Sequence, residues 1–150
     1  MTRWYGGEQG GHIGFSCAAP LTGRDGAALR SVVRTHLNGA GLDYSGVFVV
    51  GKRSLIHICL VVFDTRNELQ ARMAYDACKA LVRPAAQLGY GEYRAHLDFM
   101  DLVAEQYDFN DHAQRRFNET IKDALDPNGI LSPGKQGIWP AGHRKREVRA

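Results

Sequence analysis

His12–Ala19, in the order His-Ile-Gly-Phe-Ser-Cys-Ala-Ala, reads as a strand, closed by Pro20 and a turn at Thr22-Gly23. Ahead of it, residues 1–11 are glycine-rich with two aromatics, have little to pack, and are expected to form a loop. Residues 24–39 change period: Ala28, Leu29, Val32, Val33, His36 and Leu37 recur at helical spacing until Gly39 and Gly41 stop them. Tyr44–Val50 and Leu55–Phe63 are rich in Val, Ile and aromatics around Gly51-Lys-Arg-Ser54, which predicts a hairpin. Thr65-Arg-Asn-Glu68 has the form of a capping box, so a helix should start there and run to about Leu88, with Gly89 as its stop. Pro84 lies inside that span and should kink it or end it early. Beyond Glu92, Leu97–Tyr107 and roughly Asp111–Leu125 look helical, the second with Phe117, Ile121, Ala124 and Leu125 on one face. The order β-α-β-β-α predicts an α+β fold, an antiparallel sheet with helices on one face, followed by a helical C-terminal segment.

Composition changes this picture little. A length of 150 residues, 44% apolar and 23% charged, suits a globular chain. The net charge of +3 is carried by Arg144–Arg149 alone, which leaves the rest formally neutral. A nucleic-acid binder needs a basic face on its folded part, so none is expected, and the tail reads as a frayed, solvated terminus. Cys17, Cys59 and Cys78 have no metal-ligand spacing and cannot all pair; Cys17 and Cys59 sit in apolar runs, as small buried hydrophobes of a reducing, cytoplasmic protein. No stretch approaches the ~20 apolar residues of a membrane helix, and no signal peptide is visible.

Two segments carry candidate chemistry. Leu125–Lys135, Leu-Asp-Pro-Asn-Gly-Ile-Leu-Ser-Pro-Gly-Lys, is a doubly punctuated loop in which Pro127 and Pro133 fix φ while Gly129 and Gly134 permit turns. Upstream, Gly91-Glu-Tyr-Arg-Ala-His96 sets a tyrosine hydroxyl beside a guanidinium, donors suited to an anionic oxygen. Adjacent side chains of an extended strand point oppositely, so the backbone must bend there if both are to reach one atom. Dinucleotide fingerprint, Walker loop, G-x-S-x-G and H-E-x-x-H are all absent. The histidines do not cluster with acids at metal spacing, so no metal is expected. His57, between Ile56 and Ile58, reads as a satisfied structural histidine, Asp98 and Asp101 as a solvated helix face, and His96 has no derivable role.

On these residues the chain resembles the C-terminal part of the vanillyl-alcohol oxidase and para-cresol methylhydroxylase flavoprotein family, its eugenol-oxidase-like members above all. The likeness covers nearly everything from His12 to Trp139. The Leu125–Lys135 loop is shared with a broader FAD-linked class that includes D-lactate dehydrogenases and glycolate oxidase, whereas Tyr93-Arg-Ala-His96 with Leu97-Asp-Phe-Met100 is particular to the phenol-oxidising branch. The resemblance implies a ferredoxin-like substrate cap over residues 1–90 and a segment, 91–150, that completes the flavin-binding domain. It also implies a large N-terminal flavin-binding domain ahead of Met1, so the chain is expected to be a fragment, inactive alone, of a homo-oligomeric enzyme.

The activity implied is FAD-dependent oxidation of para-substituted phenols such as vanillyl alcohol or eugenol. A hydride leaves the benzylic carbon for the flavin, and dioxygen then accepts the electrons to give hydrogen peroxide. By resemblance Tyr93 and Arg94 clamp the phenolate, with Arg94 also offsetting charge on the reduced cofactor. His12 stands where the oxidases carry their flavin-linking histidine; the methylhydroxylase branch uses a tyrosine instead. Gly14 and Ile58 resemble cavity-lining positions, and Lys135 is a candidate contact to the flavin ring or its phosphates. The family's acidic residue near the benzylic carbon and a second phenolate-binding tyrosine belong upstream. Two other readings stay open: a 2-hydroxy-acid dehydrogenase in which Arg94 grips a carboxylate, and a non-catalytic α+β binding module.

Overall fold

A computed structural model describes residues 7–147 in two compact units, one ending at His96 and the other beginning at Leu97. The first six residues of the glycine-rich lead and the last three of the basic tail lie outside the described residues.

The first unit opens with a 3-10 turn, Gly7–Gln9, and continues through β1 (Gly10–Pro20), α1 (Gly23–Gly39), β2 (Gly46–Val50), β3 (Ser54–Asp64), α2 (Glu68–Gln87) and β4 (Gly91–Glu92). The strands form one antiparallel sheet in the order β2-β3-β1-β4, the split β-α-β arrangement anticipated from the sequence. β1 begins two residues earlier than the sequence pattern suggests and pairs with β3 along its whole length, from Gly10 opposite Asp64 to Pro20 opposite Ser54.

Alternation along these strands decides what is buried. Ile13, Phe15, Cys17 and Ala19 of β1 and Leu55, His57, Cys59 and Val61 of β3 face the helices and are all buried. They meet Leu29, Val33 and Leu37 of α1 and Ala74, Cys78, Leu81 and Ala85 of α2. The three cysteines are free and buried in this core. Tyr90 donates its hydroxyl hydrogen to Asp25 at 3.0 Å, which ties the approach to β4 to the first turn of α1.

At α2 the structure departs from the expected cap and from an early end at Pro84. The cap is Asn67, whose side chain accepts from the Gln70 N–H at 3.0 Å, while Thr65 instead donates to the Gln9 carbonyl at 2.7 Å. Asn67-x-x-Gln70 satisfies the same spacing rule two residues later, and β3 with its turn occupies the chain up to that point. Nor does Pro84 end the helix, which runs on to Gln87; Leu81, Val82 and Ala85 around it are buried, and that packing outweighs one lost hydrogen bond.

The second unit holds a 3-10 turn at Leu97–Phe99, then α3 (Met100–Glu105), α4 (Phe109–Leu125), a further 3-10 turn at Lys135–Gly137, and α5 (Ala141–Glu147). Asn110, Asp111 and His112 have φ between 47° and 55°, so the right-handed part of α4 lies beyond His112. Phe99, Met100 and Val103 are buried, and the Lys135–Gly137 turn packs on α3. Gly137 is required there: its φ is +71°, and a Cβ would run into Ala104 Cβ. Asp98 and Asp101 are exposed, as expected of a solvated face, and Asp101 also accepts from Trp139 Nε1 at 2.8 Å. The basic tail is likewise anchored at its start, where Arg144 pairs with Glu119 at 3.8 Å and with Asp123.

Candidate functional site

The first unit's sheet has a second face, opposite the one that α1 and α2 cover. On it lie the alternate residues of β1 (His12, Gly14, Ser16 and Ala18) opposite Val62, Leu60, Ile58 and Ile56 of β3. Val47 and Val49 of β2 flank Ile58 and Ile56 and are half exposed. The result is a flat, largely aliphatic wall with one glycine near its middle. His12 is exposed at one end of β1. At Gly14 an added Cβ would have Leu60 Cδ2 as its nearest neighbour at 3.8 Å, so glycine leaves a shallow open place rather than relieving a clash. Gly14 and Ile58, the two proposed cavity positions, are thus on one face, two residues off direct pairing, since Gly14 stands opposite Leu60 and Ile58 opposite Ser16.

Tyr93 reaches the same wall through β4. Glu92 pairs with Cys17 and Gly91 with Ala18, and the Tyr93 N–H donates to the Ser16 carbonyl at 3.1 Å. That bond sets Tyr93 opposite Ser16, on the parity of Gly14 and His12. His12 and Ser16 are separated by four residues of strand, about 13 Å. Immediately afterwards the chain bends at Tyr93–Arg94. Both side chains are exposed, and the Arg94 guanidinium carbon lies 5.9 Å from the centre of the Tyr93 ring. Neighbours that an extended strand would send apart are therefore side by side, within the range of a cation–π contact.

Behind this pair Glu92 is buried, only 6% exposed, on the helix side of the sheet. Burial pushes its carboxyl up to about 7, against a smaller opposing effect of the Ser16 backbone. The Cys17 thiol is driven upward by the same burial and then by the Glu92 charge, and Cys78 rises to about 12 through burial and then the charges of Cys59 and Glu92. His57 lies in the core between the helices and the sheet. Its Nε2 is 2.8 Å from the Tyr44 hydroxyl, its ring stacks on Tyr44, and burial lowers it to about 4. It is a neutral structural histidine, as its place between two isoleucines suggests, although Nδ1 has no hydrogen-bond partner. His96 packs edge-on against Tyr75.

In the second unit the Leu125–Lys135 loop is organised by Asp126. Its carboxylate accepts the N–H groups of Ile130 and Leu131, each at 2.9 Å, and pairs with Lys122 at 2.5 Å. Lys122 and these amides hold that carboxyl below the usual range. Lys135 is exposed beside a shallow hollow of about 230 Å³ that includes Leu97, Ser132, Gly134 and Trp139. Sequence reasoning missed Ser16, Glu92 and Asp126. For Glu92 a signal existed: it precedes Tyr93 in a strand, so its side chain takes the opposite, covered face.

An aliphatic wall open at a glycine, with an imidazole at one end and a phenol–guanidinium pair at the other, suits a flat aromatic ring and an anionic oxygen. The class follows from the match of residues 8–136 to the family of FAD linked oxidases, C-terminal domain, to which this chain belongs. Among individual proteins, the chain is 34% identical over 139 residues to the 4-cresol dehydrogenase [hydroxylating] flavoprotein subunit of Pseudomonas putida, covering 92% of this chain and 26% of that one. It superimposes on 4-ethylphenol oxidase from Gulosibacter chungangensis, solved with isoeugenol, with a TM-score of 0.86 and 43% identity, over 91% of this chain and 26% of the other. For p-cresol methylhydroxylase with substrate bound the TM-score is 0.79 and the identity 30%, over 86% and 24%. The chain thus spans about a quarter of the length of these relatives. Among the described residues no helix is long and apolar enough to cross a membrane.

Proposed function

We propose that this chain carries the substrate-facing wall of a FAD-dependent oxidase acting on para-substituted phenols of the vanillyl alcohol and eugenol type. In this reading residues 1–90 form the substrate cap, and residues 91–150 complete a flavin-binding domain supplied by a longer protein. The observation that carries it is the gathering of His12, Gly14 and Tyr93 on the sheet face opposite α1 and α2, with Arg94 beside the Tyr93 ring. The exposed apolar row of α4, Phe117, Ile121 and Leu125, supports the second assignment, since α4 buries no residue within its own unit.

FAD, held through His12 and contacted by Arg94 and Lys135, would supply the hydride acceptor. The chain's own residues do the rest. Tyr93 donates its O–H to the substrate oxygen, and Arg94 places a permanent positive charge beside it, so the substrate is held as an aryl oxide whose charge can be pushed toward the benzylic carbon. Gly14 leaves room for the substituted ring, while Ile58 and Leu60 keep water from one side of it. Dioxygen is the proposed electron acceptor, supported by the greater identity to the relative named an oxidase than to the one named a dehydrogenase.

The test is turnover by the flavoprotein that contains this segment, with eugenol and D-lactate compared and peroxide measured. Eugenol should be oxidised with peroxide formed, and Tyr93→Phe or Arg94→Gln should lower kcat/KM by roughly 10²–10³, the usual cost of one donor at a charged oxygen. His12→Ala should release the flavin on denaturation. D-lactate turnover exceeding that of eugenol would refute the phenol reading.

A further inference from the structure

β4 stops before its template does. Glu92 stands opposite Cys17, and the Tyr93 N–H reaches the Ser16 carbonyl at 3.1 Å; β1 runs on from Phe15 to Gly10, yet no residue after Tyr93 pairs with it. A continued ladder would set Arg94 opposite Phe15 and Ala95 opposite Gly14. Arg94 would then share the parity of buried Phe15, facing the helices and pointing away from Tyr93. Instead the chain bends at Tyr93–Arg94, and the guanidinium carbon lies 5.9 Å from the centre of the Tyr93 ring. Nothing local imposes that bend: residues 93–96 include neither glycine nor proline, and none has a positive φ. A contact from elsewhere in the fold must hold it. Two residues past the bend, the half-buried His96 ring meets half-buried Tyr75 of α2, with centroids 5.9 Å apart and planes at 87°. This is the edge-to-face geometry that aromatic rings favour. α2 covers the helix side of the sheet, so the contact draws the chain off the ladder toward that side.

We infer that His96 is a positioning residue: its ring, pinned against Tyr75, takes the chain off the β1 edge after Tyr93 and so brings Arg94 beside the Tyr93 ring. The importance of that pairing for phenol binding rests on the function proposed above; the pin itself does not. The contact is one ring edge against one ring face, so phenylalanine at either position should keep the bend. Alanine at either should release it. The freed segment then frays or extends β4, and both separate Arg94 from Tyr93, the first by motion and the second by alternation. Each ring acts only through the other, so the double alanine variant should lose no more than either single one.

NMR on the 150-residue chain tests this without flavin or phenol. Cross-peaks between the Arg94 side chain and the Tyr93 ring should be present in the unmodified chain, in His96→Phe and in Tyr75→Phe. They should be lost in His96→Ala and in Tyr75→Ala. The amide resonances of buried Val61 and Leu81 should stay in place throughout, which separates loss of the bend from loss of the fold. Cross-peaks that persist in His96→Ala, or that vanish in His96→Phe, would overturn the inference. If the alanine variants fail to fold, His96→Gln decides it, since glutamine has a similar reach and polarity but no ring: the cross-peaks should again be lost, and their survival would overturn the pin. Failure here removes His96 from the site and leaves phenol oxidation untouched; failure of eugenol turnover does the reverse.

Discussion

Two buried groups of the first unit should oppose each other as the pH changes, and one substitution separates them. Glu92 has a folded-state pKa of about 7 against an ordinary value of 4.5. The folded chain therefore holds this proton more tightly than the unfolded one, and stability falls as pH rises from 4.5 to 7. At 1.36 kcal/mol for each pH unit, the loss is about 3 kcal/mol. His57 has the opposite sign: its folded pKa is about 4 against 6.5. Its contribution is fully present above 6.5 and is lost as pH falls through 4, again by about 3 kcal/mol. Across the shared window the slopes nearly cancel, and the stability of the unmodified unit should change little between pH 4.5 and 6.5. Glu92→Gln removes one slope. Its stability should climb by about 3 kcal/mol from pH 4 to 6.5, match the unmodified chain near pH 4.5, and exceed it by about 3 kcal/mol at pH 7.5. Urea unfolding at half-unit pH steps, followed through the amide resonances of Val61 and Leu81, reads the first unit alone. Parallel curves for the two proteins would refute the reasoning, because they would mean that the carboxyl titrates alike folded and unfolded.

Two further outcomes test local structure. Gly137→Ala puts a methyl group against Ala104 at a φ of +71°, and should destabilise the second unit by roughly 2–4 kcal/mol, read from the urea midpoint of the Trp139 indole N–H resonance. Asn67→Ala should cost about 1 kcal/mol and speed exchange of the Gln70 amide, while Thr65→Ala should leave that amide's protection unchanged.

What the sequence displayed well was periodicity. β1, β3, α1 and α2 were legible because alternation and 3.6-residue spacing report one covered face, and the structure covers that face. What it concealed depended on partners distant along the chain. Thr65-x-x-Glu68 and Asn67-x-x-Gln70 obey one rule, and only the extent of β3 and its turn decides between them. Pro84 is a helix breaker by local chemistry, yet the helix around it is pressed onto the sheet by buried neighbours on both sides. Asp101 is exposed as read, but its donor Trp139 lies 38 residues away and was not foreseen. Asp126 shows the same blindness at shorter range: nothing in a Pro- and Gly-punctuated loop announces that one carboxylate takes both the Ile130 and Leu131 amides.

The candidate site adds a stricter condition, because it depends on register. His12, Gly14 and Ile58 share a face only if even-numbered residues of β1 stand opposite even-numbered residues of β3, as Gly14 does opposite Leu60. Slipping β3 by one residue would carry Ile58 into the helix side and turn His57 out onto the wall beside Gly14. No motif in the sequence forbids that slip. The core does. In the slipped sheet Leu55, Cys59 and Val61 would leave the helices, and His57 would lose its stacking on Tyr44 and the 2.8 Å contact with the Tyr44 hydroxyl. The buried imidazole, which takes no part in the proposed chemistry, thereby helps determine which side chains line the opposite face. A residue read as merely structural and a wall read as functional are two faces of the same strand, and the packing of one selects the composition of the other.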